Sequence, residues 1–218
     1  RMESYRTAVR SVPSAIGRVI PDTVGSRAEY QTQILAPLYR DISPLDPEGV
    51  LQHEWLNARG AIPRFSRSAI EIRAIDVQEC PQADLAIAAL VVAVVRTLYD
   101  APLAPQQAIA TEALAAIMQG CIRDAEQAVI EDAEYLGLLR FPGRRCEARE
   151  LWRHLVETAL GGAPEWPEPL RLILEQGPLA RRILQAVGKD CDRARIEAVY
   201  RTLCDCLEQG STFSVDHG

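Results

Sequence analysis

Glu71 and Arg73 stand two residues apart in Ala69-Ile70-Glu71-Ile72-Arg73-Ala74-Ile75-Asp76-Val77, where β-branched residues alternate with charged ones. On a strand that period puts both side chains on one face, about 7 Å apart along it. Arg59, Arg64 and Arg67 lie on the preceding segment, within reach of the same face. A carboxylate among guanidiniums on the concave face of a sheet suits phosphoryl chemistry. Its hard oxygens hold Mg²⁺, and forked donors neutralise phosphate oxygens as charge shifts in the transition state. The same alternation also describes the solvated face of a half-covered sheet, with an exposed ion pair worth about 0–1 kcal/mol. Spacing alone leaves both open, and every basic residue but Lys189 is arginine, so some clustering is expected.

The elements around this pair change period along the chain. Pro13, Gly17, Pro21 and Gly25 exclude a long helix at the start. Ser26 is a good N-cap for a short helix over Ala28–Leu35 that stops before Pro37, and Pro44, Pro47 and Gly49 mark a loop. Trp55–Phe65 reads as an irregular strand, with Gly60 and Pro63 placing it at an edge or a bulge. Ser66-Arg67-Ser68 then connects to Ala69–Val77, giving a hairpin or two neighbouring antiparallel strands with Ile70, Ile72 and Ala74 on the opposite face. Beyond Pro81 the pattern is helical. Asp84–Leu98, apolar on every side, reads as a helix buried in a core. Pro105 opens a second helix through Gln127 or further, and others follow near 145–160, 169–175, 179–187 and 193–208. A two-stranded hairpin is marginal alone. Its sheet needs strands this sequence does not offer, so part of the protein is expected to lie outside it.

Several classes are disfavoured. A net charge of −6, from 30 acidic and 24 basic residues, gives no global field for a nucleic-acid backbone. The longest unbroken apolar run, Leu85 to Val95, is short of the roughly 20 residues that span a bilayer. The amino end carries no signal-peptide pattern, so neither membrane nor export is expected. Six cysteines without a Cys-x-x-Cys pair read as buried reduced thiols of a cytoplasmic protein. Cys204-x-Cys206 with Cys191 is a poor metal cluster, because helical residues two apart diverge. His53, His154 and His217 are scattered. Glu131-Asp132-Glu134 reads as a solvated helix face, and neither a Walker A loop nor a Gly-x-Gly-x-x-Gly occurs.

The run from Leu56 to Gln78, with Ile70-Glu71-Ile72-Arg73 and Asp76 after an arginine-bearing segment, resembles the core of the glutamate–cysteine ligase type 2, or carboxylate–amine ligase, family. The alanine- and leucine-rich stretch after it, Gly177–Leu184 and Val199–Leu207 are also similar, so the resemblance covers most of the chain from about residue 26. It implies an α+β fold: residues 1–80 as antiparallel strands of an incomplete glutamine-synthetase-like catalytic sheet, and 81–218 as a mostly α-helical region packed on it. It implies that ATP phosphorylates a carboxylate, usually glutamate's, and that an amine such as cysteine's attacks the acyl phosphate, as in glutathione biosynthesis. Glu71 would be a Mg²⁺ ligand and Arg73 a catalytic phosphate contact, with Arg64 and Arg59 binding ATP phosphate or a substrate carboxylate. Partners would be these small molecules; a homodimer is one assembly the resemblance admits.

Family members are about twice as long, and their first half carries a Glu-x-Glu strand that completes the metal site. No Glu-x-Glu occurs here. Where many relatives carry Asn-x-Trp-Arg-Ala, this chain reads Val129-Ile130-Glu131-Asp132-Ala133. The expectation is the carboxy-terminal half of such a ligase, inactive alone. The alternatives are a non-catalytic helical interaction or regulatory domain of the same descent, or a small-molecule kinase.

Overall fold

The computed structural model describes residues 2–9, 11–159, 161, 167–189 and 191–215. Leu160, Gly162, Trp166 and His217 fall outside them. The fold is α+β, with helices predominating over two small antiparallel sheets. It divides into two compact units, one of Arg1–Asp76 with Ala110–Met118, the other of Val77–Ile109 with Gln119–Gly218.

In the first unit, short helices α1 (Met2–Thr7), α2 (Pro13–Ile16) and α3 (Arg27–Glu29) precede a π-helical stretch, Tyr30–Leu35, which runs into α4 (Ala36–Ile42). Ser26 caps α3 as expected, its hydroxyl accepting the Glu29 N–H at 3.1 Å. The expected stop before Pro37 is corrected. The Ala36 N–H bonds five residues back to Gln31 O, and Pro37 sits in the first turn of the next helical segment. That widened turn absorbs a proline that would break an ordinary α-helix. Val12, Ala15, Tyr30, Ile34, Leu35, Leu38 and Ile42 form the core.

The hairpin is present and shorter than expected. Strands β1 (Ala61–Arg64) and β2 (Ala69–Ile72) pair antiparallel, with Ile62 opposite Glu71 and Arg64 opposite Ala69. Trp55 is not strand but part of a 3₁₀ turn over Glu54–Leu56. Gly60 ends the ladder: its carbonyl accepts the N–H groups of both Arg73 (2.7 Å) and Ala74 (3.0 Å). Ala74 Cβ would lie 2.8 Å from any Cβ added at Gly60, so the close approach requires glycine. Ile62 is buried, while Ile70 and Ile72 on the opposite face of β2 are 69% and 43% exposed. The ribbon thus has an apolar side without cover.

The second unit holds α5 (Pro81–Tyr99), α6 (Leu103–Ala108), the end of α7 (Thr111–Asp124), α8 (Ala133–Leu138), α9 (Ala148–Ala159), α10 (Glu168–Gln176), α11 (Leu179–Val187) and α12 (Arg193–Gln209). The second long helix is interrupted at Ile109, which turns extended and buries. A further sheet was not foreseen: β3 (Val129–Ile130) pairs with β4 (Cys146–Glu147). Two-residue strands are too short to show a period of two. Asp132 caps α8 through the Tyr135 N–H at 2.8 Å, and Glu131 pairs with Arg145 at 2.7 Å.

One expectation about α5 is corrected. It is not buried all round. Ala86, Ile87 and Leu90 pack against Val156 of α9 and Leu170 and Leu174 of α10, but Leu85, Val92, Val95 and Tyr99 are exposed. The helix itself is 19 residues long, longer than the apolar run inside it and enough by length and hydropathy to cross a bilayer, although its packed face is that of a core helix. The six cysteines are free thiols; Cys80, Cys146 and Cys206 are buried, whereas Cys191 and Cys204 are exposed.

A buried ion pair ties the end of the second unit to its beginning. Arg182 and Glu79 are both sealed from solvent, 2.6 Å apart. Arg182 also donates to the carbonyls of Gly177 and Phe213, and Glu79 accepts the Phe213 N–H at 3.1 Å. Removing the arginine leaves a buried carboxylate without its counter-charge. Arg182→Ala is therefore expected to destabilise the second unit by about 3–5 kcal/mol. Arg193→Ala, which breaks only the exposed Arg193–Glu197 pair, costs no more than about 0.5 kcal/mol. Urea unfolding followed by helical circular dichroism compares the two.

Candidate functional site

The hairpin brings Glu71, Arg73 and Arg64 together. Period two places Glu71 and Arg73 on one face, and the antiparallel register sets Arg64 of β1 beside them. Arg73 Nε donates to Glu71 Oε1 at 2.8 Å, and Arg64 Nη1 donates to Oε2. Arg64 Nε reaches Glu54 Oε1 at 3.1 Å. The result is a chain of alternating charge, Glu54–Arg64–Glu71–Arg73. The Glu71 side chain is 37% exposed and both arginines less so, so the group lines a partly sheltered face.

The backbone holds the cluster in place. Arg73 Nη1 donates to the carbonyls of Trp55 (2.9 Å) and Asn57 (2.7 Å), clamping the turn that leads into β1. Asn57 is fully buried. Its amide donates to Tyr30 Oη at 2.7 Å, and its Oδ1 accepts from Arg59 Nη1 at 3.1 Å. Arg59 is turned into this support rather than toward Glu71: its Nε pairs with Asp22 at 2.7 Å and its Nη1 also reaches Ser14 O. Arg67 ends the 3₁₀ turn between the strands and is exposed. Sequence reasoning missed Glu54 and Asn57. Glu54 lies ten residues before Arg64, just outside the stretch read as strand, and nothing in its spacing marks the contact.

Electrostatics follow from geometry. The hydrogen bonds from Arg64 and then Arg73 hold the Glu71 carboxyl below its ordinary range, against the opposing effect of desolvation. The same bond to Glu71, with that to Glu54, pushes Arg64 higher still. Both shifts favour the charged forms of Glu71 and Arg64. As a seat for Mg²⁺ the donor set of this chain does not suffice by itself. Both Glu71 oxygens accept from guanidiniums, and among the described residues no group of three His, Cys, Asp or Glu side chains converges. A hard divalent ion wants about six oxygen ligands.

An α+β chain with an acid–guanidinium cluster on an antiparallel ribbon has a matching family. Residues 1–202 match glutamate–cysteine ligase family 2, and the chain belongs to that family. The chain is also 27% identical over 213 residues to an uncharacterized protein of Archaeoglobus fulgidus, an alignment covering 98% of this chain and 52% of that protein. It thus spans about half the length of that curated relative. No solved structure matches it.

Because the folded-state value of Glu71 is depressed, its ion pairs contribute stability above the ordinary carboxyl range and lose it as pH falls through the lower folded value. A carbon-13 titration of the Glu71 carboxyl is expected to give a midpoint below 4.5, the group's ordinary value. Arg64→Gln should move that midpoint upward. A wild-type midpoint at or above the ordinary value would contradict the double guanidinium contact.

Proposed function

We propose that this chain is the carboxy-terminal part of an ATP-dependent carboxylate–amine ligase that joins glutamate, or a similar carboxylate, to an amine such as that of cysteine. The observation that carries the reading is Glu71 held between Arg64 and Arg73 on the sheltered face of the β1–β2 ribbon. Family membership and the half-length match to the archaeal relative support it. So does the uncovered apolar face of β2, which a further layer of the protein would cover.

In this reading Arg64 and Arg73 neutralise phosphate oxygens, a task suited to a planar donor fork that never loses its proton. Arg59 supports them from beneath through Asn57. The ligase family generally uses ATP and Mg²⁺. Glu71 would be one carboxylate of a metal cage whose other acidic ligands lie outside this chain.

A second reading, a non-catalytic module of the same descent, draws on the mutual saturation of Glu71 and its two arginines. Calorimetric titration of the full-length gene product with Mg·ATP separates the two, since the module gives no heat of binding. The ligase reading makes two further demands, read by ADP release with glutamate and cysteine. This chain alone should give no turnover. In the full-length gene product, Glu71→Ala should lower the rate at least about 100-fold while leaving helicity unchanged. Retained turnover in that variant would return Glu71 to a structural ion pair.

A further inference from the structure

A groove of about 710 Å³ opens on the first unit beside the ligase cluster, within the size range of small-molecule sites. Its walls are the π-helical stretch at Gln31 and Leu35, Tyr39 of α4, the His53–Trp55 loop, and Arg64 and Phe65 at the end of β1. Arg64 belongs both to the groove and to the Glu71 cluster, so the two are continuous.

Three features of the lining point to a ligand. The Arg27 guanidinium lies 4.6 Å over the Phe65 ring, and among the described residues it has no carboxylate partner. A guanidinium laid on a ring is pre-oriented, with its edge donors free for an anion. His53 and Trp55 are stacked 6.0 Å apart at 20°, and both are exposed. Two stacked rings facing water offer a flat apolar surface that a third ring would cover. Another part of the wall is the π-helical stretch, a rare conformation that recurs at functional sites.

We propose that this groove seats the amine substrate of the ligase, and that this amine carries a planar ring and a carboxylate, as an aromatic amino acid does. The inference rests on the ligase reading and adds to it the class of the acceptor. Arg27 takes the carboxylate and the His53–Trp55 pair takes the ring. The amine is thereby held on the side of the groove that Arg64 shares with Glu71. In the transfer, the neutral amine nitrogen bonds to the acyl carbon of the acyl phosphate formed from ATP. The carbon–oxygen bond to phosphate breaks, inorganic phosphate leaves with that electron pair, and the amine's surplus proton passes to water.

The test has two arms. In the first, L-phenylalanine is titrated into this chain while the Trp55 indole N–H is followed by NMR, with L-alanine (no ring) and L-phenylalaninamide (no carboxylate) as controls. A saturable Trp55 shift is expected. Affinity should fall about tenfold or more for each control and for Arg27→Gln, the size of one lost charge-assisted contact, and stay unchanged in Arg40→Gln. No saturable shift, or binding indifferent to ring, carboxylate and Arg27, overturns the proposal. In the second arm, ADP release by the full-length gene product is measured with glutamate plus phenylalanine or cysteine. Faster release with phenylalanine supports the assignment. Release with cysteine but not with phenylalanine overturns it and leaves the ligase reading standing, whereas no release with any amine overturns the ligase reading itself.

Discussion

Two guanidiniums share one carboxylate on a four-residue ribbon, and much of the first unit serves to keep them in register. A hairpin this short has too little ladder to fix its own side chains. Arg73 supplies what is missing by bonding to Glu71 along its strand and to two carbonyls of the turn before β1. That turn is pinned from below by Asn57, whose amide reaches Tyr30 in the core. The route from core to site is therefore continuous: Tyr30, Asn57, Arg73, Glu71. Arg59 reinforces it at Asn57. Arginine suits this work because its charge is independent of pH and its several donors serve backbone and carboxylate together.

The hairpin and its charged face were legible because period two over Ala69–Val77 and a polar connection at Ser66–Ser68 leave few other arrangements. The later helices were legible from their breaks: Gly177 and Gly188 do end α10 and α11. Other features depend on contacts that no local pattern records. The π-helical turn shows only in how Pro37 is accommodated. The β3–β4 pair joins segments 16 residues apart through two residues each. Arg59 was grouped with the site because it precedes the strand, yet a buried Asn57 and Asp22 draw it inward. Asp84–Leu98 was read as buried on all sides because composition reports hydrophobicity and not how many neighbours a helix has. Only one side of α5 meets α9 and α10.

Exposed apolar surface is a recurring property of both units, each taken by itself. Ile70 and Ile72 on the ribbon, and Leu85, Val92 and Val95 on α5, are side chains that ordinarily stabilise a fold by about 1.5–3 kcal/mol each when fully covered. Single exposed apolar residues need no explanation, but successive positions on one strand face do. On β2 the uncovered side backs the side that carries Glu71. A structure that covered it would also stiffen the strand that positions the carboxylate, so packing and chemistry are linked through one short element.

Charge balance constrains what the cluster can receive. Glu54 and Glu71 contribute two negative charges, and Arg64 and Arg73 two positive ones, so the linked group is neutral. A bare polyanion gains little from it, because each guanidinium it recruits must first release a carboxylate. That exchange leaves a half-sheltered acid without its partners. A ligand that brings its own counter-charge pays no such penalty, since its positive part can take the carboxylate while its negative part takes the arginines. Arg27 differs in kind: it rests on a ring and, among the described residues, opposes no carboxylate. A simple carboxylate can bind there without breaking an existing pair. The groove and the cluster that shares Arg64 with it thus present two distinct electrostatic environments, one matched to a charge-paired ligand and the other to an anion alone.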